Sequence, residues 1–218
     1  MMIAKLEPSQ HVHERWLVWL EDGSFLRVTE NEVVEFALYQ GMEVSDELYD
    51  ALVEKAQRST VRGKALDMVA AKPMSRRELV DKLIARRPKG RDGRERPPLA
   101  DETLAGETAD WLEELGYLND TEYAKQVVRH YSAKGYGEHK VKDELFRRGV
   151  PKKLWDEALA EAVEPEEGID EFLRKRFKGV QPDQKELKRA SDALARRGYR
   201  WNEIREGLNR YGAEIEEE

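Results

Sequence analysis

Apolar residues recur through most of this chain at spacings of three and four, as in helices with one buried face, and the clearest stretch is 134–162. There Val141 and Leu145 share a helical face, with Lys140, Lys142, Arg147 and Arg148 around the others. Gly149 suits the left-handed conformation that closes a helix, and Val150 can fold back onto the last turn. Pro151 suits the first turn of a following helix, where no N–H is required. Leu154, Ala158, Leu159 and Ala162 carry the stripe of that second helix. Neither helix can bury its stripe alone, so the unit needs neighbours.

Those neighbours have the same pattern. A shift of 49 residues places Ala190, Leu194, Arg196, Arg197, Gly198 and Tyr199 on Val141, Leu145, Arg147, Arg148, Gly149 and Val150. A shift of 62 in the other direction places Ser75, Leu79, Leu83 and Arg86 on Gly137, Val141, Leu145 and Arg148. The two offsets differ by 13, close to the length of the Pro/Arg/Gly-rich stretch 88–99, which interrupts only the first copy. Three copies of one helical unit, the first with an inserted loop, account for this. Self-similarity at such a period marks a stacked helical array.

Ahead of the copies, Arg15–Leu20 reads as a strand, Asp22-Gly23 as a two-residue hairpin turn and 25–28 as the returning strand. Thr29 with Glu32 makes a capping box for a helix carrying Val33, Val34, Phe36, Ala37 and Leu38, ended by Gly41. Ser45 caps a second helix with Leu48, Leu52 and Ala56 on its face. Further on, Ser75 with Glu78, Asn119-Asp120 and Pro182-Asp183 open helices, while Gly116-Tyr117 and Gly198-Tyr199 stop them. The expected fold is mainly α: tandem three-helix repeats in an elongated array behind a small N-terminal α+β head. The boundaries read as 1–58 for the head, 59–118 for repeat 1 with its basic loop 88–98, 119–163 for repeat 2, 164–213 for repeat 3 and 214–218 for an acidic tail.

Charge changes the picture of what such an array can bind. Charged residues make up 38% of the 218, above the ~25% usual for soluble domains, and the net charge is −7. Residues 1–58 hold 5 basic and 12 acidic side chains, so the whole excess of acid lies in the head. A chain so balanced elsewhere is not built to bind DNA chiefly by neutralising phosphates. With no cysteine there is neither a disulfide framework nor a thiolate metal site. No run approaches the ~18 apolar residues of a membrane span and no signal-peptide pattern opens the chain, so a cytoplasmic protein is expected.

Candidate chemistry is sparse. His11 and His13 have the spacing of a chelate, but no third ligand follows, and they read as solvated. The glycines of 134–137 follow a helix and lack the Lys-Ser/Thr ending of a nucleotide loop, so they read as a tight interhelical turn. No nucleophile elbow or His-Glu-x-x-His run is present. The many carboxylates alternate with bases along helices, as solvated i,i+4 pairs do. Trp16, Trp19, Trp111, Trp155 and Trp201 sit in or beside apolar patterns and read as core rather than as base-stacking platforms. The expectation is no enzyme, no catalytic residue, no cofactor and no metal.

Three segments, Ser75-Arg-Arg-Glu-Leu-Val-Asp-Lys-Leu83, Leu115-Gly-Tyr-Leu-Asn-Asp-Thr-Glu-Tyr-Ala124 and Lys134-Gly-Tyr-Gly137, with the twice-occurring Arg-Arg-Gly, make the chain resemble the RecX family of bacterial recombination regulators. The likeness covers roughly 60–211 and, more loosely, the head. It implies tandem three-helix repeats that lie in the groove of the RecA recombinase filament. It further implies suppression of RecA's ATP hydrolysis, strand exchange and co-protease activity, and so control of recombinational repair and the SOS response. The inserted loop and the net negative charge depart from the family, and the charge weighs against a direct role for single-stranded DNA beyond weak or indirect contact. The expected partner is the RecA filament, bound by a monomer, with no membrane. Arg86, Arg147, Arg148, Arg196 and Arg197 recur at equivalent places and form a candidate ladder of partner contacts, to which Lys134 and Tyr136 are added. The same arginines would also favour the helix C-terminal dipole, worth about 0.3–1 kcal/mol each. Two other functions stay open: a DNA-binding three-helix module, and a helical scaffold for another protein.

Overall fold

The computed structural model describes residues 1–10, 14–89 and 93–216, with side chains through residue 212. His11, His13, Arg91 and the side chains of the acidic tail lie outside the described residues. Contacts divide the chain into two units, 1–72 with 79–117 and 73–78 with 118–218.

In the first unit three strands, β1 (Ile3–Pro8), β2 (Arg15–Leu20) and β3 (Phe25–Thr29), form an antiparallel sheet in that order. Ile3, Leu6, Trp16, Val18, Leu20, Leu26 and Val28 share one face of it. That face packs on Leu48, Tyr49, Leu52 and Ala56 of a long helix, α2 (Asp46–Ala71). The sheet has one strand more than the expected hairpin. A bulge between Ile3 and Lys5 breaks the alternation by which β1 would announce itself. The preceding helix α1 (Glu30–Glu35) is shorter than its apolar run, because the chain turns at Ala37 with φ +48°. Phe36 and Leu38 thereby reach the core, while Val34 stays 74% exposed. The buried Glu32 carboxylate accepts from the Thr29 N–H at 2.8 Å and from the Ser59 hydroxyl.

Helix α2 runs unbroken for 26 residues, with Leu52, Ala56, Val61 and Ala65 buried along it. The head-to-repeat boundary read at 58/59 therefore falls inside a helix. Nothing in Gln57-Arg58-Ser59-Thr60 breaks helical backbone, and Arg58 reaches from α2 to Glu107 of α4 (Glu102–Glu114) at 2.8 Å. Helix α3 (Arg76–Ile84) contributes its first turn to the second unit and the rest to the first. Its Ser75–Glu78 capping box is formed in both directions, each bond 3.1 Å long. In the inserted loop Arg87 and Arg96 pair as an isolated bridge, and the Leu99 and Ala100 N–H groups return to the Leu83 carbonyl.

The second unit holds α5 (Asp120–Ala133), α6 (Glu138–Arg147), a 3-10 turn (Lys152–Leu154) leading into α7 (Trp155–Leu159), then α8 (Pro165–Phe177), α9 (Gln184–Arg196) and α10 (Trp201–Glu216). The sequence equivalence between its halves is structural. Val141, Leu145 and Val150 are buried as are Ala190, Leu194 and Tyr199, and both Gly149 (φ +69°) and Gly198 (φ +90°) close their helices in the left-handed region. The Val150 N–H returns to the Leu145 carbonyl at 3.0 Å and the Tyr199 N–H to the Leu194 carbonyl at 3.3 Å. Asn119 caps α5 by accepting from the Glu122 N–H at 3.0 Å. Asn119→Ala is expected to cost about 1 kcal/mol in urea denaturation followed by far-UV circular dichroism.

Candidate functional site

The two glycine-ended helices do more than stop. Each presents its carbonyl end to the N-terminus of an earlier helix. The Gly137 N–H donates to the Arg197 carbonyl at 2.9 Å and the His139 N–H to the Gly198 carbonyl at 3.1 Å. Gly137 has no side chain with which to cap α6, so carbonyls beyond the end of α9 satisfy donors that the helix leaves open. The first turn of α3 meets the end of α6 in the same way: the Ser75 hydroxyl donates to the Arg148 carbonyl, and the Arg77 side chain lies against Gly149. Each joint sets the positive end of one helix dipole on the negative end of another. They leave no room, because a Cβ on Gly137 would lie 2.5 Å from the Gly198 carbonyl and the Tyr199 nitrogen. Arg200 ties Glu138 across the Gly137–Gly198 joint at 2.6 Å. Pairing with Lys142, and then with Arg200, holds the Glu138 carboxyl below the ordinary carboxylate range despite its partial burial.

The candidate arginines divide by direction. Arg148 turns inward: its guanidinium donates to the Tyr123 hydroxyl at 2.7 Å and the Tyr131 hydroxyl at 3.4 Å, and lies 3.9 Å from Glu78. Tyr123 donates in turn to Glu78 at 2.8 Å. Burial, reinforced by that bond to Glu78, pushes the Tyr123 hydroxyl up to about 12. Burial also works against the charge on Arg148, but the two tyrosine hydroxyls outweigh it and raise its pKa. Glu144, buried one turn back, stays below the ordinary carboxylate range: burial opposes its charge, and Arg147, Tyr131 and Arg148 more than offset that.

Arg147 points the other way. It is 69% exposed and held by Glu144 from beneath. The same division holds one repeat on, where Arg196 is exposed and Arg197 is half-buried. The Arg197 guanidinium lies 4.7 Å over the Phe172 ring, with a long 3.5 Å contact to the Gly135 carbonyl. Lys134 and Arg197 share an open cleft of about 500 Å³ with Phe172, Lys175 and Arg176. Tyr136 is half-buried, its ring 5.7 Å from that of Tyr131. Arg86 is exposed just past the end of α3. Arg148 and Arg197 are thus turned toward the chain itself, whereas Arg147, bonded to Glu144, and Arg196 face outward. The residues that hold these arginines, Tyr123, Tyr131, Glu144 and Phe172, were not among the candidates from sequence. The signal at Tyr123 and Tyr131 was a hydroxyl at a position of a buried stripe, and at Glu144 a carboxylate beside one; Phe172, with no polar atom, gave none.

Of the tryptophans read as core, Trp201 is 68% exposed at the start of α10. Among the described residues no group of three or more His, Asp or Glu side chains is placed to hold a metal, and no helix is long and apolar enough to cross a membrane.

Residues 119–159, the first half of the second unit, match a family model described as RecX, second three-helix domain. Regulatory protein RecX of Xanthomonas axonopodis pv. citri is 32% identical over 145 residues, which cover 65% of this chain and 82% of that protein. Regulatory protein RecX of Clostridioides difficile is 21% identical over 214 residues, covering 96% and 95%. A crystal structure of regulatory protein RecX superposes with a TM-score of 0.69 at 18% identity over 95% of this chain and 98% of that one. RecX from Lactobacillus salivarius gives 0.59 at 17% identity, over 72% and 97%. The chain belongs to the RecX family of regulatory proteins.

Proposed function

We propose that this protein is a non-enzymatic, cytoplasmic regulator that binds the RecA filament along its groove as a monomer. It restrains ATP hydrolysis, strand exchange and co-protease activity, and so moderates recombinational repair and the SOS response. The observation that supports this reading, beside the family, is the pair Arg147 and Arg196. They sit at equivalent positions of repeats 119–163 and 164–213, are exposed, and belong to helices coupled through the Gly137–Gly198 joint. Two cations at a fixed spacing fit a partner that is itself periodic, each one meeting a carboxylate on a successive filament subunit.

The test is the double variant Arg147→Glu/Arg196→Glu, titrated into RecA on single-stranded DNA with ATP turnover and filament length followed together. Losing both contacts is expected to raise the concentration for half-inhibition at least tenfold, about 1.4 kcal/mol, with far-UV circular dichroism unchanged. Unchanged inhibition would overturn the role given to these arginines. Arg148 and Arg197 are unsuited to this test, since reversing either would damage the fold that carries the other residues.

A further inference from the structure

We propose that the outward face of the β1–β2–β3 sheet, with the cleft beside β3, is a platform for single-stranded nucleic acid. The sheet turns Trp16, Val18, Leu20, Leu26 and Val28 to the core, so strand alternation puts Lys5, Glu7, Arg15, Leu17, Trp19, Phe25 and Arg27 on the other side. Trp19 and Phe25 are cross-strand partners with ring centroids 4.8 Å apart at 31°. The Arg27 guanidinium lies 4.9 Å from the Phe25 ring. Phe25 is 39% exposed, an apolar ring left at the surface.

Charge names the occupant. Residues 1–58 hold only 5 basic side chains against 12 acidic ones, yet three of the five, Lys5, Arg15 and Arg27, lie on this face. Glu7 is the only acid in the three strands. Lys5 is taken up by Glu7 at 2.7 Å, and the turn acid Asp22 accepts from the Ser24 N–H and hydroxyl at 2.9 and 2.6 Å. Among the described residues neither Arg15 nor Arg27 forms an ion pair. Both line, with Phe25, Gln57 and Thr60, an open cleft of about 480 Å³ between β3 and α2. The Arg15 guanidinium, and the Arg27 guanidinium held only over the Phe25 ring, lie beside the cleft and suit phosphates, and the adjoining Trp19–Phe25 pair offers an aromatic surface for unstacked bases. A duplex hides its base faces, so the single strand is the form this surface fits.

The test uses the full chain without any recombinase, so its outcome stands apart from the RecA reading. Binding of a fluorescein-labelled ten-nucleotide oligothymidylate is followed by anisotropy at rising salt. Two phosphate contacts predict a slope of log K against log salt of about −1.4, and a duplex of equal length should bind more weakly. Phe25→Ala should weaken binding about tenfold while Phe25→Tyr retains it. Arg15→Glu/Arg27→Glu should abolish the salt dependence and most of the affinity, with far-UV circular dichroism reporting that each variant still folds. No binding at low salt, binding untouched by these substitutions, or equal displacement by a poly-glutamate peptide would each overturn the proposal, the last by showing a surface for acidic peptides.

Discussion

Gly198→Ala is expected to destabilise the second unit by roughly 2–5 kcal/mol, the sum of a left-handed backbone at about 1–2 and an overlap at about 1–3. Gly198 has φ +90°, and its Cβ would meet the Lys140 nitrogen at 2.4 Å and the Lys140 Cβ at 2.8 Å. The atoms in the way are the first turn of α6, so relief means opening the joint and releasing the Gly137 and His139 N–H groups from their acceptors. Gly179 supplies the control. It lies in the same unit with φ +77°, but no atom comes within 4 Å of its Cβ position, so Gly179→Ala should cost only the backbone strain. Gly137→Ala isolates the overlap, since φ at Gly137 is −77° and any residue can adopt it. Urea denaturation ranks the three, and hydrogen exchange at the His139 amide reports the joint itself. If Gly198→Ala proves no worse than Gly179→Ala, the joint does not hold the repeats.

Much of this was legible in the chain. The caps at Ser45, Ser75, Asn119 and Asp183 stand where polar residues precede an apolar stripe, and in each the side chain accepts the expected N–H. The equivalence of Gly149 with Gly198 followed from the repeat. What escaped had a physical reason in each case. The bulge in β1 hid a strand behind a broken period, and the turn at Ala37 cut short a helix whose apolar residues serve the core from a loop. Helix α2 hid a boundary because a helix can cross one without any change of pattern.

The site was less legible than the fold. Register shows that Arg147 and Arg148 match Arg196 and Arg197, but adjacent residues on a helix point about 100° apart, and the partners that draw one arginine inward come from other helices. For Arg148 these are Tyr123 and Tyr131 of α5, together with Glu78. Tyr123 belongs to the apolar stripe of its own helix, and nothing in its spacing set it apart as a partner for an arginine. Likewise Gly137 read as a tight turn, and only the carbonyl of Arg197, sixty residues on, shows that the missing side chain makes room for a neighbour.

Arg148→Met is expected to cost about 2–3 kcal/mol, somewhat below the ~3–5 kcal/mol of a fully buried pair because Arg147 still answers Glu144. The loss comes from leaving Glu144 and Glu78 with less compensation than their burial requires. Neutralising one of them should therefore restore part of it: Arg148→Met/Glu144→Gln is expected to be more stable than the sum of the single effects by about 1 kcal/mol or more. Additive effects would show that Arg148 acts by packing alone. The alkaline limb of stability probes the same network through Tyr123, whose hydroxyl is pushed from an ordinary 10 up to about 12 by burial and by donation to Glu78. The fold favours the protonated hydroxyl, so this contribution is complete below pH 10 and is lost as pH rises from 10 through 12. Linkage at about 1.36 kcal/mol per unit makes the loss about 2 kcal/mol by pH 11.5. Tyr123→Phe has no proton to lose. The stability difference between the native chain and Tyr123→Phe in urea should therefore shrink by that amount between pH 9.5 and 11.5, whereas a constant difference would remove Tyr123 from the network that keeps Arg148 turned inward.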